Sequence, residues 1–462
     1  MLQRRVLASA WILIVGLAGS AWGQGTHATL PSDAALGRLG LTKAWWGFAT
    51  IDSVRDRVKF FVGDEQVTVV ESATGTVTAF DNATGRRRWA VQVGADTDTR
   101  YIPSTTDQAV LVVSGRKLLA LDKQTGDAAW EVSMDSAPST GVATDDLHAY
   151  VGAIDGSVFA FDLKFLSLLT KDITLRKRMY RSLDWTYRTG GRVPYAPAST
   201  GTIVVVPSED GSLYGLETAN HRTKFQFETD QPLGAPIGQL GNQIVVATKD
   251  LKVYSLNADT GALKWEVLIG LNVRQQPRMV DEHVFVCAEG AGMRCLSAQD
   301  GHEVWSNRQA VRLLAATPAV VYASSTVDDV LLLNRATGRQ VGAFALRGMP
   351  IRIANDRTDR LYFASDRGLV LCLRERDRDY PLFHKQPEKR PVEPEIAPDD
   401  AGKPKAPGAK TAPKKGEEAE EAMDKDPDAR PAATPAKSAP KKPAKAPAVK
   451  KTAKPKPPAA DQ

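Results

Sequence analysis

A large aromatic residue recurs in this chain at a near-constant interval, and that interval limits the fold more than any other feature. Trp89 and Trp130 stand 41 residues apart; Trp185, Phe225, Trp265 and Trp305 then stand 40 apart. The one long interval, Trp130 to Trp185, is 55 and holds an insertion. Of the seven tryptophans beyond residue 23, five occupy this slot, so chance does not explain it. One unit surrounds the slot: VTAFDNATGRRRW (77–89), LLALDKQTGDAAW (118–130), VYSLNADTGALKW (253–265) and MRCLSAQDGHEVW (293–305). Weaker copies are LYGLETANHRTKF (213–225) and LLLNRATGRQVG (331–342), where Gly342 takes the aromatic position.

Each unit reads as four strands. Runs of four to seven Val, Leu, Ile and aromatic residues alternate with Gly, Asp and Thr, the pattern of short strands joined by tight turns. The T-G step suits the turn between third and fourth strands, since glycine readily takes positive φ. The aromatic residue after it falls on the outer strand, where a large ring can pack on the next unit. Four strands at a period near 40 is the mark of a propeller. Eight third strands can be counted, centred on Ala79, Ala120, Ala160, Gly215, Ser255, Cys295, Leu332 and Leu371. The expected fold is therefore all-β, an eight-bladed propeller of four-stranded antiparallel blades over residues 41–384. Its eighth outer strand could come from Leu41–Ala49 or from Tyr380–His384, and the N-terminal segment is favoured because it would close the ring.

The ends are a different material. Residues 1–23 read as an export signal: Arg4 and Arg5, an apolar stretch, then small residues Ala21 and Gly23 before a cut. An uncleaved anchor is the alternative, although the stretch is shorter than the roughly 20 apolar residues a spanning helix needs. No Cys follows the stretch, so lipid attachment is not expected. Residues 24–40 are expected to be a linker. Residues 385–462 hold 18 Lys/Arg, 13 Asp/Glu and abundant Pro and Ala, and such a segment cannot bury enough apolar surface to order itself. Its charges are segregated, with eight lysines between Lys437 and Lys456. The net charge of +6 belongs to these appendages. A tail of this kind could touch an anionic polymer or a membrane surface, or serve as a solubilising tether.

The repeat A-[FL]-D-x-x-T-G-x-x-x-W resembles that of the pyrroloquinoline-quinone-like propellers, over nearly all of 41–380. That group includes quinoprotein alcohol dehydrogenases and the propeller lipoprotein of outer-membrane β-barrel assembly. The dehydrogenases imply a neighbouring Cys pair over the cofactor and an acidic set holding calcium. Here Cys287, Cys295 and Cys372 are the only cysteines and no two are adjacent. The resemblance is thus nearer to the non-catalytic assembly propeller, and no cofactor is expected. Cys287 and Cys295 could be joined across a hairpin or remain two buried thiols. The six histidines are dispersed, with no spacing that suggests a metal or a nucleophile–base pair.

Two features are candidates for partner binding. The insertion 163–182 carries Lys164, Lys171, Arg176, Lys177, Arg178 and Arg181 against Asp172. Leu166, Leu169, Ile173 and Tyr180 recur at helical spacing, so an amphipathic helix is expected, docking a partner or packing on the propeller's flank. The second feature is arginine near the innermost strands: Arg100, Arg192, Arg274, Arg312 and Arg352. These could ring one mouth of the channel and meet carboxylates, or be solvated and paired with neighbouring acids. The expected role is an exported, non-catalytic scaffold, monomeric, binding protein partners of the cell envelope; a quinone-dependent dehydrogenase-like enzyme is the alternative.

Overall fold

Runs such as AVLVVS (Ala109–Ser114) and IVVVP (Ile203–Pro207) carry almost no polar residue, and both form strands covered on their two faces. A strand sandwiched between neighbours has no wet side, so its sequence does not alternate. Outer strands do alternate, as in TKFQFE (Thr223–Glu228), whose Phe225 and Phe227 turn inward between exposed polar residues. The computed structural model describes residues 28–52, 54–171 and 182–385. The expected leader, most of the tail, and Arg176, Lys177 and Arg178 lie outside the described residues.

The described strands make eight four-stranded antiparallel sheets. Seven are consecutive in the chain: blades 1 to 7 span 58–92, 104–133, 138–188, 198–228, 238–268, 278–307 and 310–345. Blade 8 joins three late strands, ending in Leu369–Glu375, to the N-terminal strand Leu41–Phe48. Trp45 lies opposite Cys372, so it fills the aromatic slot of the eighth blade. The other candidate segment, Tyr380–His384, adds no strand to a sheet and forms one isolated bridge, between Thr358 and Phe383.

The recurring unit locks blade to blade. In DNATG the Asp81 carboxylate accepts from the N–H groups of Ala83 (3.1 Å) and Thr84 (2.9 Å), and Asn257 does the same for Asp259 and Thr260. This side-chain turn explains the Asp or Asn four residues before the glycine in most copies; in blade 6 Ser297 holds the place and its hydroxyl accepts the Gln299 N–H at 3.3 Å. The glycine then serves twice. Gly301 has φ 77°, and a Cβ on it would lie 2.7 Å from the ring of Trp265 in the preceding blade. Five of the slot's ring nitrogens also donate to a carbonyl of the next blade: Trp45 to Asn82 (2.8 Å), Trp89 to Lys123 (3.1 Å), Trp185 to Thr218 (3.2 Å), Trp265 to Ala298 (3.0 Å) and Trp305 to Arg335 (2.8 Å). Phe225 fills the slot without that bond and packs on Gly261. Trp185 meets His221, at φ 51°, in place of a glycine.

Helix α1, Asp33–Gly37, falls in the stretch expected as a linker and is capped by Ser32. Leu36 is fully buried among Leu314, Tyr322, Leu332 and Leu373, with Ala28, Leu30 and Leu39 against the same cluster. Leu39 occupies the space beside Gly342 that an aromatic ring fills elsewhere. The cysteines are free. Cys287 pairs with Met293 and Cys295 with Phe285, so the two thiols are not opposite one another. Burial pushes both up to about 12, which leaves the two-thiol alternative.

Candidate interaction surface

Blade 3 breaks the turn signature. After its third strand, Ser157–Asp162, comes α2, Leu163–Lys171, where the other six blades built from consecutive strands have a tight turn. Asp162 starts it by accepting the N–H of Phe165 at 2.9 Å. Leu166 is fully buried, and Leu163 and Phe165 pack beside it against Phe161 and Trp130. The expected helix is present over nine residues and its inner face packs on the propeller, while Lys164 and Leu168 are exposed. With its usual docking turn replaced, Trp130 stays only half-buried.

Trp130, Leu163, Lys164 and Ser167 line a cleft of about 1500 Å³ that also takes in inner loops of blades 1, 2, 3, 4 and 8. Charge is dense here and mostly committed. Lys123 meets Asp64 at 2.6 Å with both side chains buried, and donates to the Thr106 carbonyl at 2.9 Å. Burial works against the Asp64 carboxylate, but Lys123 and the N–H groups of Val67 and Gln66 outweigh it and hold its pKa below the usual range. Arg357 pairs with Glu65 at 3.4 Å and Arg374 with Asp379 at 2.7 Å. Asp145 accepts from the Tyr150 and Ser199 hydroxyls at 2.8 and 2.7 Å. Burial first, then the Asp145 charge, keeps the Tyr150 hydroxyl protonated far above its ordinary range. These contacts fasten loops. Among the described residues Lys164 has no carboxylate partner, which leaves its charge available at the rim.

Residues 379–385 cross the same mouth. His384 is buried, with Nε2 3.0 Å from the Ala316 carbonyl and Nδ1 3.3 Å from Asp281. Lys385 meets Asp356 at 2.9 Å, and Arg278 reaches the same carboxylate from blade 6 at 3.4 Å. Burial opposes the Asp356 charge, but Lys385 and Arg278 outweigh it and hold its pKa well below the usual range. This strap had a sequence signal, Phe383 and His384 in an otherwise polar run, which reads equally well as a strand. Among the described residues no three His, Cys, Asp or Glu are grouped to hold a metal ion.

The five arginines do not share one environment. Arg100 is buried, donating to the carbonyls of Val93 (2.8 Å), Thr74 (2.9 Å) and Ala95 (2.6 Å), with Glu71 3.5 Å away. Arg352 is buried as well, donating to Met349 and Asp328 carbonyls. Arg192, Arg274 and Arg312 are exposed, the first two near Glu209 (4.0 Å) and Glu289 (2.8 Å). A ring of five solvent-facing guanidinium groups is therefore not what the fold builds. Sequence spacing could not separate them, because a buried arginine satisfied by backbone carbonyls looks the same as an exposed one.

The family model described as outer membrane protein assembly factor BamB matches residues 32–171 and 226–373, and its first match stops where α2 ends. An outer membrane protein assembly factor BamB of Nitrosomonas eutropha is 24% identical over 237 residues, covering 47% of this chain and 54% of that protein. Another, of Moranella endobia, is 26% identical over 145 residues, covering 29% and 37%. The chain thus spans about half the length of the first of these curated relatives and less of the second. Among solved structures, BamB from Moraxella catarrhalis has a TM-score of 0.56 at 16% identity, covering 73% of this chain and 98% of that one. The computationally designed Ika8 protein has a TM-score of 0.54 at 15% identity, covering 69% and 96%. At these identities the two structures speak for the fold alone.

Proposed function

Because this chain belongs to the outer membrane protein assembly factor BamB family, we propose that it is an exported, non-catalytic propeller that holds protein partners together in the cell envelope. The observation that carries the reading is the one broken turn. Seven junctions spend their turn or chain end on packing blade against blade, whereas blade 3 sends out a helix beside a cleft. That helix leaves Leu168 and Lys164 exposed next to a half-buried Trp130, the mixture of apolar anchor and free charge that protein interfaces use. The committed ion pairs around it keep the loops rigid, which lowers the entropic cost of docking. The basic residues Arg176, Lys177 and Arg178 would extend the same surface. The lysine-rich tail would tether the propeller or reach an anionic envelope polymer.

Site-specific photo-crosslinking in the full chain tests this. A crosslinker at Leu168 should trap an outer membrane assembly protein in envelope preparations, and one at Leu268, more exposed still on blade 5, should not. Equal trapping from both positions, or none from Leu168, would overturn the proposal. Titration with pyrroloquinoline quinone and calcium covers the enzyme alternative: a rise of several degrees in melting temperature would favour a quinone-dependent dehydrogenase.

A further inference from the structure

Among the described residues every blade ends in an outer strand that pairs with another strand on one side only, and such edges are usually protected by charge. Seven of the eight outer strands follow that rule: RRWAVQ, AAWEVS, LDWTYR, TKFQFE, LKWEVL, EVWSN and LTKAWWGF each hold at least one charged residue. The outer strand of blade 7, Gln340–Ala345, reads QVGAFA and holds none. Val341, Ala343 and Ala345 are exposed, Val341 at 61%. Among the described residues this strand is hydrogen-bonded only to its neighbour Asp329–Asn334. Where blade 5 has Lys264 and Glu266 on either side of its aromatic slot, blade 7 has Val341 and Ala343 on either side of Gly342.

Charge reappears just beyond both ends. Arg339 and Arg347 are exposed, and among the described residues neither has a carboxylate within ion-pair distance. We propose that the outer edge of blade 7 accepts an extended segment of another protein as a fifth strand, one with apolar residues at its centre and a carboxylate at each end. Backbone hydrogen bonds along Gln340–Ala345 would supply the affinity, and Arg339 and Arg347 would set the register. A second copy of this chain is the wrong partner for this edge. Antiparallel self-pairing centred on Ala343 would set Arg339 against Arg347 at both ends, and like charges placed opposite are destabilising. The inference stands on the edge strand alone and does not depend on the assembly role or on α2.

The test uses the full chain and a fluorescein-labelled nonapeptide, with aspartate at each end of seven alternating valines and threonines. Fluorescence polarisation should give saturable binding, at least ~10-fold weaker for the same peptide with lysine ends. Val341→Lys/Ala343→Glu copies the charges of blade 5 onto blade 7 at exposed positions, and should weaken binding by ~10-fold or more without moving the melting temperature. Leu268→Glu, on the blade 5 edge, should bind as the parent does. No saturation at millimolar peptide, or equal affinity for the parent and the double variant, would overturn the proposal. So would a dimer of the parent that the double variant abolishes, because the edge would then belong to a second copy.

Discussion

The junction between blades 5 and 6 and the junction between blades 7 and 8 solve one packing problem in different ways. At the first, Trp265 lies on Gly301 and bonds the Ala298 carbonyl, all within a segment of about 40 residues. At the second the ring is missing, and the gap beside Gly342 is filled by Leu39, more than three hundred positions earlier in the chain. The regular junction is local and written into a motif; the seam is made of whatever the chain's two ends can bring together. The same contrast marks the surface. Both proposed contact sites lie where regularity lapses, at the inserted α2 in blade 3 and at the uncharged edge of blade 7.

The largest effect should come from attacking the seam as a whole. A chain beginning at residue 50 loses the strand opposite Leu369–Glu375, with Leu36, Leu41 and Trp45 from the core. We expect a loss of more than ~5 kcal/mol, above the ~3–5 kcal/mol for Trp265→Ala at a regular junction. Urea unfolding of the two variants makes the comparison. If the shortened chain unfolds like the parent, the N-terminal strand is an ornament and the seam closes without it.

A second pair of variants separates the glycine's two duties. Gly301→Ala must accept both a left-handed backbone and a clash with Trp265, and we expect ~2–4 kcal/mol of destabilisation. Gly241 also has positive φ, 56°, but a Cβ there meets nothing within 4 Å. Gly241→Ala should therefore cost only ~1–2 kcal/mol, the backbone contribution. Equal losses from the two would mean that ring contact adds nothing at regular junctions.

Much of this was legible beforehand, for a physical reason. The 40-residue period, the Asp-x-x-Thr-Gly turn and Trp89, Trp130, Trp185, Phe225, Trp265 and Trp305 reflect local chemistry, so short motifs record them. Trp45 could be weighed as the eighth ring because a propeller must close. The strap through His384, the burial of Leu36 in an expected linker and the inward turn of Arg100 and Arg352 depend on residues far apart in sequence. No local pattern encodes those meetings.

Arg100 leads to the third prediction, at the other end of a blade junction. It forms an isolated bridge with Ser114 where Leu233 and Val273 form equivalent bridges with Thr248 and Ala288, so a charged residue stands at an apolar position. Its neighbour Glu71 is pushed up to about 7, because burial outweighs the attraction of the Arg100 guanidinium. A raised folded-state pKa gives stability that is full below the unfolded value near 4.5 and is lost as pH rises through about 7. The parent should lose ~1–3 kcal/mol relative to Glu71→Gln over that window, measured by urea titrations at its two ends. A flat difference would mean that the carboxylate is ionised in the fold and paired with Arg100.

The smallest expected effect is also the one that decides what remains of the arginine set. Arg274 is 72% exposed and meets Glu289 at 2.8 Å, so Arg274→Ala should change stability by no more than ~0.5 kcal/mol. A larger loss would place Arg274 with Arg100 as a fastener between blades. With stability unchanged, any weakening of partner crosslinking in Arg274→Ala would have to come from the contact itself. Arg192 and Arg312 would then be the next positions to change, because they are exposed as Arg274 is, while Arg100 and Arg352 are buried and donate to backbone carbonyls inside the fold.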